Sequence, residues 1–388
     1  MQSQKRTYIL LGLIFTGFFV LGLPDGALSV AWPAIRYEMG LPLEQASVIF
    51  ITHSIFYALA SSQLGRITRY IKEEIAGVIG LVGIALGMSG YVIAPNFAVF
   101  TGFVAVVGIS MGFLDSSMNS YVAKHFSNKI MNLLHCFWGL GAMVSPIIMT
   151  RMVVSRDFTW RTGYLTISTL AGAIAVIVFI SLLNGLWNRK SEATPKDSSD
   201  AVVKGKTLTG RTNEFMEVAI FFFHGGAEYA MGFWVVSLMM ESRGVYAAAA
   251  GLFPAVYYGS IMLSRLAIGI FGKLSNMTLI RVSMVVALAG MVSLIFTSSI
   301  IGMALVGLGL GPIVPCSVAD TPRRFAAGSV TKLVGYKFAA LGIGIAVLST
   351  GVGEVMGNIS LELLFPVTIS FVLIMAVLNE VLERRVQG

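Results

Sequence analysis

Apolar residues run through this chain in long, nearly unbroken stretches, not in the alternating or every-third-position patterns of elements half-exposed to water. A helix that crosses a bilayer needs about 20 mostly apolar residues, because a backbone group left unpaired in hydrocarbon is costly. By that measure the stretches at 8–34, 45–65, 75–94, 97–123, 131–153, 162–187, 215–240, 246–271, 277–297, 300–318, 330–353 and 360–380 predict twelve transmembrane helices. The pair Lys5-Arg6 before the first stretch is signal-peptide-like. That stretch is nevertheless too long, contains Asp25 and lacks a small-x-small cleavage site, so it reads as the first span.

Composition agrees: 56% of the 388 residues are hydrophobic and 12% are charged, against about 25% charged in soluble chains. The two cysteines, Cys136 and Cys316, lie far apart inside apolar runs, which excludes a disulfide framework and a cysteine zinc site. The net charge of +8 takes its meaning from position. Basic residues gather at the N-terminus (Lys5, Arg6), in the second loop (Arg66, Arg69, Lys72) and in the fourth (Lys124, Lys129). They recur in the central stretch, near the eighth loop (Lys273, Arg281), in the tenth (Arg323, Arg324, Lys332) and at the C-terminus (Arg384, Arg385). The opposite loops hold Arg36, Arg151, Arg156, Arg161 and Arg243. The positive-inside rule places both termini in the cytoplasm, and no basic stripe is left for nucleic acid. Trp160 and Trp187 fall where an aromatic belt is expected.

The polar stretch 188–213 is rich in Ser, Lys, Asp and Pro and reads as a cytoplasmic linker. The chain thus divides into an N-terminal six-helix half, 1–187, and a C-terminal six-helix half, 214–388. Phe18–Asp25 lies on Phe221–Glu228 at an offset of 203; Gly65 corresponds to Gly269 at 204; Val107, Gly108 and Gly112 correspond to Val306, Gly307 and Gly311 at 199. Repeated six-helix halves with a site at mid-membrane are the architecture of a secondary transporter.

Gly112-x-x-Asp115-x-x-x-Asn119, Asp25 late in the first span, and the run His135-x-x-Trp138-Gly139-x-Gly141-x-x-x-Ser145-Pro146 resemble the fucose permease-like branch of the major facilitator superfamily. The superfamily's loop motif, Gly-x-x-x-Asp-Arg-x-Gly-Arg-Lys, survives only as Gly65-Arg66-Ile67-Thr68-Arg69-Tyr70-Ile71-Lys72, with Arg69 in place of its Asp. The resemblance implies an all-α integral membrane fold with twelve helices in two pseudo-symmetric halves. It also implies proton-linked sugar transport in which Asp115 is the proton-linked group.

An ionised side chain at bilayer depth costs at least about 2.5–3.5 kcal/mol, so each one is a candidate for function. Asp25 shares a helical face with Gly22, Ser29 and Trp32 and reads as a substrate or proton residue. Asp115 and Asn119, one turn apart, offer an acceptor and an amide to a hydroxylated ligand. His224 and Glu228 form a relay or a static clamp, Glu228 mirroring Asp25. His135 and Trp138 offer a hydrogen bond and a flat face for a sugar ring; Trp234 is a further candidate, and His53, with Tyr57 beside it, reads as structural. Lys337 either snorkels to the cytoplasmic face, or pairs with Asp115, Glu228 or Asp25, or attracts an anionic substrate. Arg265 reads as a gate or loop contact. Pro312 and Pro315 beside Gly307, Gly309 and Gly311, and likewise Gly22-Leu23-Pro24, mark segments expected to bend or unwind.

Gly108-Ile109-Ser110-Met111-Gly112 fits the Gly-x-Ser-x-Gly nucleophile motif but has no strand before it, and no phosphate-binding loop is present. The expectation is therefore a carrier, not an enzyme, with no cofactor and no metal. It takes up a sugar-like small molecule with protons, as a monomer, in a plasma or inner membrane. The alternatives are an exporter of drugs or metabolites, for which 20 Met supply adaptable walls, and a carrier of sugar acids or other organic anions.

Overall fold

The computed structural model describes residues 2–126, 128–155, 159–187, 208–268 and 274–387. Most of the linker, Arg156, Gly269 and Lys273 lie outside the described residues, as do the side chains of Lys124 and Lys129. The described chain is helical almost throughout. Its long helices are α1 (Gln2–Met39), α2 (Ala46–Ile67), α3 (Glu73–Ile93), α4 (Phe97–His125), α5 (Asn128–Val154) and α6 (Trp160–Leu183). They continue with α7 (Arg211–Ser237), α8 (Leu252–Ala267), α9 (Asn276–Phe296), α10 (Ile300–Leu310), α11 (Ile313–Arg324), α12 (Ala327–Asn358) and α13 (Leu364–Gln387). Since α10 and α11 form one interrupted crossing, the helices make the twelve predicted spans.

Among the described residues, 11 spans are long and apolar enough to cross a membrane by length and composition. The remaining one, α7, carries Glu214, Glu217, His224 and Glu228. Several helices outrun their apolar stretches, because backbone hydrogen bonding continues where the lipid ends. With 38 residues, α1 is about 57 Å long, against a hydrocarbon core of about 30 Å. It runs unbroken through Pro24 and Pro33, so the unwinding expected at Gly22-Leu23-Pro24 does not occur. The expected interruption is present in the tenth span: Pro315 lacks the N–H that Gly311 O would accept, and α10 ends one residue earlier.

Two compact units are present, one built from α1–α6 and the other from α7–α13, the latter also taking in Pro42–Phe50. Within the second unit Phe50 stands edge-on to Phe233 at 4.6 Å and to Tyr229 at 5.2 Å.

The internal repeat reaches the level of single contacts. A Cβ at Gly22 would collide with Trp138 O, and one at Gly141 with Phe19 O; in the second unit the collisions are Gly225 with Leu341 O and Gly344 with Phe222 O, each 203 residues on. Gly108 and Gly112 press on the carbonyls of His53 and Tyr57, as Gly307 and Gly311 press on those of Tyr257 and Ile261. The offsets here are 199 for the glycines and 204 for the carbonyls they meet, those predicted for the fourth and second spans. Gly87 against Val107 N repeats as Gly290 against Val306 N. Small residues let these helix pairs approach backbone to backbone.

Each unit also holds an arginine clasp at the C-terminal end of its third helix. Arg161, at the start of α6, donates to Val92 O (3.1 Å) and Ala94 O (3.2 Å) and pairs with Glu38 at the end of α1. Arg243, just after α7, donates to Ile295 O (3.3 Å) and Thr297 O (2.6 Å) and pairs with Glu362 ahead of α13 at 2.5 Å. Trp160, expected in the lipid belt, is buried and donates to Glu38 at 2.7 Å, and Trp187 is buried against Tyr121. Indole N–H groups with protein partners close at hand draw both rings inward.

Candidate functional site

The first unit positions its carboxylates through the glycine contacts. Because Gly108 and Gly112 bring α4 against α2, the next residue on that face, Asp115, meets Tyr57. The Tyr57 hydroxyl donates to Asp115 Oδ2, and Asn119 Nδ2 donates to Asp115 Oδ1 at 2.7 Å. Both carboxylate oxygens are therefore held. The Asn119 amide, expected to stand open beside the carboxylate, is turned onto it. On the α1–α5 pair, Trp138 Nε1 donates to Asp25 Oδ2 at 3.0 Å, and Asp25 also acts electrostatically on Tyr57. Tyr57 thus relates the two acids of this unit. His135 is exposed and stands edge-on to Phe18 at 5.5 Å. His53 meets Met111 Sδ at 3.2 Å and stacks on Tyr57.

In the second unit, Glu228 is the centre of a triad. His224 Nε2 lies 2.7 Å from Glu228 Oε2, and Arg265 Nη2 reaches the same oxygen at 3.4 Å. Arg265 Nε donates to Gly311 O at 3.1 Å, the carbonyl that Pro315 leaves without a helical partner. Ser61 donates to Gly112 O at the repeat-related position of the first unit, so Arg265 stands where that unit has a serine. The Tyr257 hydroxyl donates to the Glu228 backbone oxygen at 2.9 Å.

Two expectations are corrected. Lys337 pairs with an acid outside the expected set and does not snorkel: it is fully buried and donates to Glu217 Oε1 at 2.6 Å, Thr321 Oγ1 at 2.9 Å and Ser317 O at 3.0 Å. The same Glu217 pairs through Oε2 with buried Arg324 at 2.9 Å, and Arg324 also binds Asp320 and Asn379. Arg323 bridges Asp320 and Glu383, so three cations and three carboxylates neutralise one another in a closed network. Trp234 is fully buried beside Phe50 and Phe233 and donates to Ser349 O at 3.1 Å, which makes it a core residue of its unit.

Three participants escaped the sequence reading. Tyr57 was legible in the spacing His53, Tyr57, Ser61, a polar stripe one turn apart along α2. Arg265 follows Ile261 and Tyr257 at the same spacing, yet its nearness to the end of the span suggested a loop role. Glu217 lies just inside the predicted span 215–240, and nothing in its spacing marks it as a buried partner, yet α7 carries it inward.

The chain matches the family model of the Major Facilitator Superfamily over residues 14–349. It is 24% identical over 217 residues to the sodium-dependent glucose transporter 1 of Xenopus laevis, covering 49% of this chain and 43% of that protein. It is 21% identical over 273 residues to the probable sulfoacetate transporter SauU of Cupriavidus necator, covering 66% and 62%. The chain spans about half the length of the curated relatives it matches first. Among solved structures, a bacterial homolog of the human lysosomal transporter Spinster, inward-facing and occupied, superposes with a TM-score of 0.74 at 11% identity, covering 98% of this chain and 97% of that one. The transporter FucP in its outward conformation gives 0.64 at 14% identity, covering 96% and 98%. At such identities the likeness is one of fold. With the family model covering most of its length, the chain belongs to the Major Facilitator Superfamily and is a multi-pass membrane protein.

Proposed function

We propose that the chain is a proton-coupled symporter of a sugar or sugar-like polar molecule, acting as a monomer by alternating access in a plasma or inner membrane with both termini cytoplasmic. The observation that carries this reading is Asp115, a carboxylate at membrane depth whose two oxygens are held by Tyr57 and Asn119. A carboxylate held only by neutral donors can be protonated without stranding a cation, which suits a group that gains and loses a proton in each cycle. Asp25, with the Trp138 indole on one oxygen, supplies an acceptor for a hydroxyl and an adjacent flat face. The name of the Xenopus laevis relative supports a sugar substrate and makes sodium the competing coupling ion.

The test is uptake into proteoliposomes that contain a pH dye, with hexoses, deoxyhexoses, amino sugars and sugar acids added outside. Solute-driven acidification that needs no sodium and that falls in Asp115→Asn is expected. Uptake with no pH change, or acidification that the variant leaves unaltered, removes Asp115 from this role.

A further inference from the structure

The His224–Glu228–Arg265 triad has three properties that a static clamp does not need. One carboxylate oxygen serves two partners unequally: the histidine at 2.7 Å is close, whereas the arginine at 3.4 Å is beyond the usual length of a charge-assisted bond. His224 is fully buried, and its Nδ1 has no hydrogen-bond partner among the described residues. Glu228 and Arg265 are each 17% exposed, so a ligand has an edge from which to approach. From α8 the pair meets Arg265 and, at the Glu228 backbone oxygen, the Tyr257 hydroxyl. α12 packs on this stretch of α7 through Leu341 at Gly225 and Leu348 at Gly226, and α13 through Phe371 at Phe223 and Thr368 at Met231, which bring no further charged group.

We propose that Arg265 is the binding residue for an acidic group of the transported solute, a carboxylate or sulfonate, and that the His224–Glu228 pair takes up one proton as that anion binds. With His224 Nε2 and Arg265 Nη2 on one Glu228 oxygen, a proton on either member of the pair cancels the charge that Glu228 presents to Arg265. The loose contact then opens, the guanidinium turns its fork to the incoming anion, and Gly311 O keeps Nε in place. The proton comes from the aqueous side by which the solute enters. Anion and proton together leave the net charge of the triad unchanged, and this balance avoids burying an uncompensated charge. This rests on the reading of the chain as a proton-coupled carrier and narrows its solute to one bearing an acid. The proton on the pair is distinct from the one on Asp115.

Full-length protein in proteoliposomes with an internal pH dye is given matched probes: glucose against gluconate, galactose against galacturonate. Gluconate or galacturonate is expected to enter and acidify the lumen while the neutral partner does not. Arg265→Gln lowers acid uptake by about ten- to a hundredfold, as expected for a lost charge-assisted bond, and Arg265→Lys retains part of it. Glu228→Gln, which imitates the protonated carboxylate, still shows a gluconate-dependent rise in melting temperature above the pH at which wild type has lost it. In Asp115→Asn, acid uptake continues with one proton fewer. Neutral sugars that acidify the lumen while acids do not overturn the anion site and leave the carrier reading standing. The anion site also falls if acids enter without acidification, or if Arg265→Gln takes them up as wild type does. If no probe moves or shifts the melting temperature, the carrier reading itself falls, and this inference with it.

Discussion

Lys337 Nζ lies 2.6 Å from Glu217 Oε1, with both side chains wholly enclosed. A buried charge stripped of its partner is destabilising by about 3–5 kcal/mol, whereas an apolar pair of similar volume can be neutral. Glu217→Gln, which leaves Lys337 and Arg324 short of a carboxylate, is therefore expected to lower the melting temperature of the purified protein more than Lys337→Met. The doubly substituted Glu217→Gln/Lys337→Met should be less destabilised than the sum of the two. Solute selectivity of the surviving Lys337→Met protein is expected to match wild type, because the Lys337 ammonium is taken up by Glu217, Ser317 and Thr321. A changed selectivity profile in uptake assays would place the lysine in the transport path.

Tyr57→Phe removes one of the two donors that hold the Asp115 carboxylate. A hydrogen bond to a charged group is worth about 1.5–3 kcal/mol, so solute uptake by the variant is expected to fall by about tenfold or more while its melting temperature stays near that of wild type. Uptake equal to that of wild type contradicts a role for this hydrogen bond in the transport cycle.

The Glu38–Arg161 pair is partly exposed, and the ionic attraction itself is worth little, about 0–1 kcal/mol. Arg161 also donates to two carbonyls that end α3, so its loss should exceed that of Glu38. Thermal unfolding is expected to show Glu38→Gln close to wild type and Arg161→Ala lower by several degrees. Equal effects of the two variants would mean that the charge pair, and not the carbonyl contacts, carries the clasp.

Pro315→Ala restores an N–H that can bond Gly311 O and compete with Arg265 Nε for it. The substitution should extend helical hydrogen bonding across the interruption between α10 and α11. Slower uptake at saturating solute with an unchanged or raised melting temperature is the expected result. A turnover equal to that of wild type argues that the interruption has no part in the transport cycle.

Hydrophobic run length is enough to read the twelve spans from the sequence, because lipid imposes it directly, and the matched glycines at a common offset reveal the repeat. Side-chain partners across helices were a different matter. Helical spacing told which residues share a face with Asp115 or Glu228, but not which helix that face meets. Tyr57 therefore reads only as a neighbour of His53, Arg265 as a gate or loop contact, and none of the alternatives open to Lys337 names Glu217. The acid it does meet, Glu217, lies near the start of α7, where run length alone does not tell whether a carboxylate faces water or a neighbouring helix. Trp234 shows the same limit, since a flat ring on a membrane helix looks alike whether it meets a ligand or Phe50.

The two arginine clasps bear on how the halves came to resemble each other. Val92 and Ala94 correspond to Ile295 and Thr297 at the common offset of 203, yet the arginine reaches them from α6 in one unit and from beyond α7 in the other, with the acid moved to the opposite partner. Copying a gene segment cannot produce that exchange. What the halves share is the pair of open carbonyls at the end of the third helix, so the need for a cation there is common to both while the flank that supplies it is interchangeable.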